Sequence, residues 1–219
     1  MSRKRRIASL AFGFAIAAGP VVAQQFSADL VHTGRPDKPD KLYVSDGKAR
    51  LEQATGKTIL GDAQAKTASM LTPPQKTYID LPGGGPFAIF MPADPNNACP
   101  QWLEIANLAK ANRDAEQWGC KRIGDETVNG RHAIKYQSTS PRGGIDYAWV
   151  DPSLKFLIKS RDANGSGVDL LNIKEAAQPE SLFQIPADYQ KADTQQMMQQ
   201  PAGAGEIAPR LGSKRAPGG

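Results

Sequence analysis

The sequence predicts a mainly β fold: an antiparallel sheet that curls or closes, with one helix inserted near its middle. Three observations carry that prediction. Short runs of alternating apolar and polar residues recur between Phe26 and Ile173, the period of strands with one face in a core. Tight-turn residues punctuate them at Asp46-Gly47, Pro73-Pro74, Asn129-Gly130, Asp151-Pro152 and Asn164-Gly165. Only Gln101 to Asn112 shows a convincing helical period.

The first residues give an address. Arg3, Lys4, Arg5 and Arg6 precede an apolar run from Ile7 to Ala18, then Gly19-Pro20 and Val21-Val22-Ala23. A charged start, an apolar stretch too short to span a bilayer and a small-residue site together predict a secretory signal over residues 1–23, cleaved after Ala23. No cysteine stands near that site for lipidation, so a soluble exported protein without an integral membrane segment is expected. The formal charge of +5 owes most to the four cations of the signal, which removes the electrostatic case for nucleic acid. Residues 24–191 are long enough for one domain, and residues 192–219, rich in Gln, Ala, Gly and Pro, read as a disordered tail.

Along the domain, Phe26 to His32 alternate as a first strand, and Leu42, Val44, Ala49 and Leu51 flank Asp46-Gly47 as a hairpin. Lys57 to Gly61, Ala68 to Leu71 and Lys76 to Leu81 read as three more short strands. Pro82 to Pro86 is a glycine loop without the lysine a phosphate loop requires, and the apolar run Phe87 to Met91 follows it. Pro100 suits the first turn of the helix, on which Trp102, Ile105, Ala106 and Ala109 share one face. Then His132, Ile134 and Tyr136; Ile145, Tyr147 and Trp149; and Leu154, Phe156 and Ile158 mark the apolar faces of three half-buried strands. Val168 to Ile173 is a further strand, with a bulge or two-sided burial at Leu170-Leu171.

The residues that carry chemistry argue for binding. Two cysteines in an exported chain most simply form one disulfide, Cys99 to Cys120, worth about 3 kcal/mol by loop entropy. With those thiols oxidised and only His32 and His132 as bases, no nucleophile–base–orienter set is recognisable, so an enzyme is not expected. Asp162, Asn164, Ser166 and Gly167 match the opening of a calcium loop, but Ile173 stands where the closing acid belongs, and a hairpin turn accounts for the same residues. No metal site and no cofactor are expected.

From Cys120-Lys121-Arg122-Ile123-Gly124-Asp125-Glu126-Thr127-Val128-Asn129-Gly130 the chain resembles a known group. The likeness continues through Tyr147-Ala148-Trp149-Val150-Asp151-Pro152-Ser153-Leu154-Lys155 and Ser181 to Tyr189, and the hairpin Tyr43 to Glu52 fits it. The group is an exported bacterial family of unknown function, of the 4412 type of unknown-function domains. It is related in pattern to the periplasmic lipoprotein carriers LolA and LolB and to the sigma-factor regulator RseB. The resemblance implies an unclosed antiparallel barrel covered by helices, with a hydrophobic cavity that in the carriers holds acyl chains, and a periplasmic location. The expected function is to bind a lipid or lipoprotein acyl chain between sheet and helix, with Phe87, Phe90, Trp102, Ile105, Tyr147 and Trp149 as the lining. The alternative is an envelope stress-sensing or interaction module whose strand edges, or the segment Phe87 to Met91, dock a protein partner.

Overall fold

The structure, a computed structural model, describes residues 24–81, 94–109, 119–140 and 143–192. The expected signal (1–23) and the tail beyond residue 192 lie outside the described residues. Twelve strands form one sheet: β1 (Gln25–His32), β2 (Asp40–Ser45), β3 (Lys48–Glu52), β4 (Thr58–Asp62), β5 (Thr67–Thr72), β6 (Thr77–Asp80), β7 (Gly119–Val128), β8 (Arg131–Thr139), β9 (Ile145–Asp151), β10 (Phe156–Arg161), β11 (Gly167–Glu175) and β12 (Gln190–Lys191). A helix, α1 (Ala98–Ala109), lies between β6 and β7. Among the described residues no helix is long and apolar enough to cross a membrane.

Across the sheet the order is β12-β6-β5-β4-β3-β2-β1-β11-β10-β9-β8-β7. Every pairing is antiparallel except β12 with β6. The sheet does not close into a barrel, because β12 and β7 stand at opposite ends of the order. Its turns follow local chemistry. Asp46-Gly47 and Asn129-Gly130 both take positive φ, the conformation a two-residue hairpin with right-handed strand twist requires. The segment from Asp162 to Gly167, read as a hairpin turn, is the β10–β11 turn, where Asp162 Oδ1 accepts the amides of Asn164 and Ser166.

The sheet curls far enough for distant strands to share a core. Phe26, Leu30, Leu42, Val44, Leu51 and Ile59 from β1–β4 pack in one cluster with Ala133, Trp149, Phe156, Ile158 and Leu170 from β8–β11. Phe26 and Phe156 meet edge to face with centroids 5.2 Å apart, a contact worth about 0.5–1.5 kcal/mol beyond area burial. The two halves join through a narrow seam. β10 pairs with β11 only at Lys159↔Asp169, Ser160↔Val168 and Arg161↔Gly167.

Two bulges adjust the strands on either side of the seam. One offsets Leu157 and Lys159 against β9, and the other lies between the β1 partners Ser27 and Asp29, near Asn172 rather than at Leu170-Leu171. The expectation of half-buried strands needs correction here. Val150 is buried on the face opposite Trp149, where a second apolar cluster covers β8 and β9, and its β10 partner Leu157 is buried as well.

Beyond β11 the chain runs back across the N-terminal strands as a strap. The Ala176 amide bonds to the Gln25 carbonyl, Arg50 Nη1 donates to the Leu182 carbonyl (3.0 Å), and Gln190 and Ala192 donate to the carbonyls of Lys76 and Tyr78. The two-residue β12 ends the strap.

Candidate functional site

The second apolar cluster forms where α1 meets the sheet. Ala98, Ile134, Tyr136 and Val150 are buried in it, with Cys99, Trp102 and Cys120 packed around them. Its geometry begins in the residues before the helix. Asp94 folds the approach, accepting the Asn96 amide on Oδ1 and the Asn97 amide on its carbonyl. Pro100 then sits in the first helical turn, where its missing N–H leaves no unmet bond. Two ties fix this end of the helix. The Tyr136 hydroxyl donates to the Pro95 carbonyl at 2.6 Å, and Cys99 is disulfide-bonded to Cys120 of β7, with Cα atoms 5.5 Å apart. Trp102 stacks edge to face on Tyr136 at 5.4 Å. Burial holds the Tyr136 phenol above its usual pKa, so it stays a neutral donor.

Of the expected lining residues, Phe87 and Phe90 lie outside the described residues, as does the side chain of Ile105. Trp102 is in the cluster under α1. Tyr147 and Trp149 are elsewhere. Trp149 precedes Val150 on β9, and successive strand residues point to opposite faces, so Trp149 and Tyr147 join the main core while Val150 faces α1. The structure therefore separates Trp102 from the β9 aromatics by the thickness of the sheet.

Trp149 has its own polar cover. Its Nε1–H donates to Glu126 Oε2 at 2.7 Å, and the ammonium groups of Lys135 and Lys159 lie 4.8 and 4.7 Å from its ring centroid. Glu126 also accepts from Lys135 at 2.7 Å; that bond, and next the indole bond, hold its carboxyl below the usual range. Only 4% of Trp149 is exposed, so this aromatic is sealed. The grouping becomes visible only with the register Lys135↔Trp149↔Lys159, which no local pattern reveals.

The histidines have structural surroundings. His32 Nε2 lies 2.9 Å from Asp40 Oδ2, to which Arg35 also donates at 2.8 Å, while Asp40 Oδ1 accepts the Ala54 amide. Burial raises the pKa of Asp40, but Arg35, the Ala54 amide and His32 together outweigh it and hold the carboxyl below its ordinary value. Asp40 carries no sequence signal, since it begins a strand after a proline-rich turn and resembles a solvated turn residue. His132 is exposed, 3.9 Å from Asp125. Among the described residues no group of three or more His, Cys, Asp or Glu side chains is placed to hold a metal ion. A pocket of about 190 Å³ lies under the strap, between Phe183 and Ile185 above and Leu60, Ala68, Lys48 and Asp62 on the sheet.

No protein-family model matches the chain, and no curated protein matches it. Solved structures do. An uncharacterized conserved protein from Thermus thermophilus is similar over 77% of this chain and 89% of its own, at 11% identity and a TM-score of 0.48. PNGF-II is similar over 80% of this chain and 32% of its own, at 8% identity and a TM-score of 0.48. A Pseudomonas aeruginosa MucA/MucB complex is similar over 75% of this chain and 56% of the matched chain, at 16% identity and a TM-score of 0.35. All three TM-scores fall below 0.5.

Proposed function

We propose that this protein is a non-catalytic periplasmic binding protein, and that it takes an apolar ligand, a lipid or lipoprotein acyl chain, between α1 and β7–β9. One observation carries the choice of place. The main core is closely packed from both halves of the sheet. The cluster under α1 is smaller and separate, and its Trp102 is half-buried. The helix is tied to the sheet at its first turn by the disulfide and by Tyr136, so a ligand enters as the rest of α1 swings about that anchor. The driving force is burial of alkyl surface, about 0.8 kcal/mol per CH₂.

Export fits the disulfide, which persists in an oxidising compartment. Membership of the 4412-type exported family belongs to the same reading. The test is direct. The full chain, expressed with its own leader and recovered from the periplasm, is extracted and analysed by mass spectrometry. Near-stoichiometric lipid supports the proposal. A lipid-free chain that also fails to take up a fluorescent fatty acid refutes it.

A further inference from the structure

β7 ends the sheet, and among the described residues its outer edge has no partner strand. Exposed edges are commonly protected by charged side chains, especially Lys, or by a bulge that twists the strand away. β7 has the bulge, at Ile123, but its charges are of two signs and are ordered: Lys121-Arg122, then Ile123-Gly124, then Asp125-Glu126. Read backwards, the sequence of signs is the complement of itself. We propose that this edge is a homodimer interface, in which β7 pairs antiparallel with β7 of a second copy about a two-fold axis at Ile123-Gly124.

In that register Lys121 stands opposite Glu126 of the second copy, and Arg122 opposite Asp125. The pairing requires each opposed couple to share a face of the sheet, and the bulge supplies this. Lys121 and Glu126 are paired with Gln137 and Ala133, on the face of Trp149, while Arg122 and Asp125 are paired with Tyr136 and Ile134, on the face of α1. Residues five apart in an unbulged strand point to opposite faces. The extra residue Ile123 brings Lys121 and Glu126 to the same side. Sliding one strand by two residues sets Arg122 opposite Ile123 or Asp125 opposite Gly124, and both opposed charge pairs are lost.

The centre is complementary in shape as well. Ile123 is an exposed large hydrophobic residue (40%), and a Cβ at Gly124, across the axis, would meet no atom within 4 Å. The Ile123 side chain of each copy thus has open space over Gly124 of the other. Within one chain Arg122 already holds Asp125 (2.8 Å), with side chains 54% and 46% exposed, and Glu126 holds Lys135 (2.7 Å). Dimerisation gives each carboxylate a second cation and leaves those bonds in place.

The experiment is a pair of complementary charge reversals in the full chain, read by sedimentation equilibrium. The wild type is expected to dimerise with concentration, and its dissociation constant to rise on the order of tenfold between low and high salt, since exposed charges are screened. Lys121→Glu/Arg122→Glu and Asp125→Lys/Glu126→Lys are each expected to be monomeric, and an equimolar mixture to recover the dimer. Ile123→Cys, which keeps all four charges, is expected to cross-link between chains through a short bis-maleimide, whereas Lys57→Cys is not. A wild type that stays monomeric, a mixture that does not recover, or an Ile123→Cys chain that does not cross-link overturns the proposal.

Discussion

Replacing Gly167 by alanine tests the seam that joins the two halves of the sheet. Gly167 opens β11 and is paired with Arg161 of β10, while its amide donates to Thr33 Oγ1 and its carbonyl accepts the Thr33 amide. A methyl group at this position would overlap the Ser160 carbonyl group and crowd the Arg161 Cα. These are backbone atoms, so no side-chain rotation relieves the clash, and the strands must separate where only three register pairs hold them. Overpacking of this kind costs about 1–3 kcal/mol, and the loss should fall at the upper end because the ladder itself is disturbed. For a domain of this size that is a fall in Tm of about 2–12 °C. Gly34→Ala is the control, since nothing lies within 4 Å of its added methyl, and its Tm should hold or rise slightly. Thermal unfolding followed by far-ultraviolet circular dichroism measures both. Equal melting temperatures for Gly167→Ala and the wild type would refute the close approach at the seam.

Two further outcomes follow from the site geometry. Cys99→Ser/Cys120→Ser removes a cross-link with a sequence separation of 21, which should cost about 3 kcal/mol and shift the Trp102 emission as α1 loosens; unchanged emission and Tm contradict the anchoring role. Asp40→Ala removes the buried carboxylate that accepts the Ala54 amide and should cost about 1–3 kcal/mol in urea unfolding at pH 7. Because the folded Asp40 carboxyl sits below its unfolded value, its stabilisation is present above about pH 4 and fades as pH falls through the folded value. Asp40→Asn should therefore flatten the acid limb of the stability profile, and an unaltered limb counts against the assignment.

Much of the fold can be read from local chemistry. Asp46-Gly47 and Asn129-Gly130 dictate their hairpins because few other residue pairs accept positive φ so readily. The helix and its proline, and the pairing of the two cysteines, were equally accessible. What escaped was information carried by register and by burial on both faces. Phe156-Leu157-Ile158 and Trp149-Val150 are continuous apolar runs, which signal strands covered on two sides, yet alternation was the stronger visible pattern. Without that second covered face, Trp102, Tyr147 and Trp149 all read as one lining. The strap and β12 have no periodicity to find, since they bind through backbone groups and single side chains such as Arg50. The palindrome of charges on β7 is legible as letters, but its meaning depends on the bulge at Ile123.

The central claim is that an apolar ligand binds on the α1 face of the sheet. Titration of the oxidised full chain with a fluorescent fatty acid, compared across Trp102→Ala and Tyr147→Ala, tests it most directly. Saturable binding of about one ligand per chain is predicted, weakened at least about tenfold by Trp102→Ala, the equivalent of about 1.4 kcal/mol, and unchanged by Tyr147→Ala. Absence of saturable binding, or a loss caused by Tyr147→Ala and not by Trp102→Ala, would contradict it.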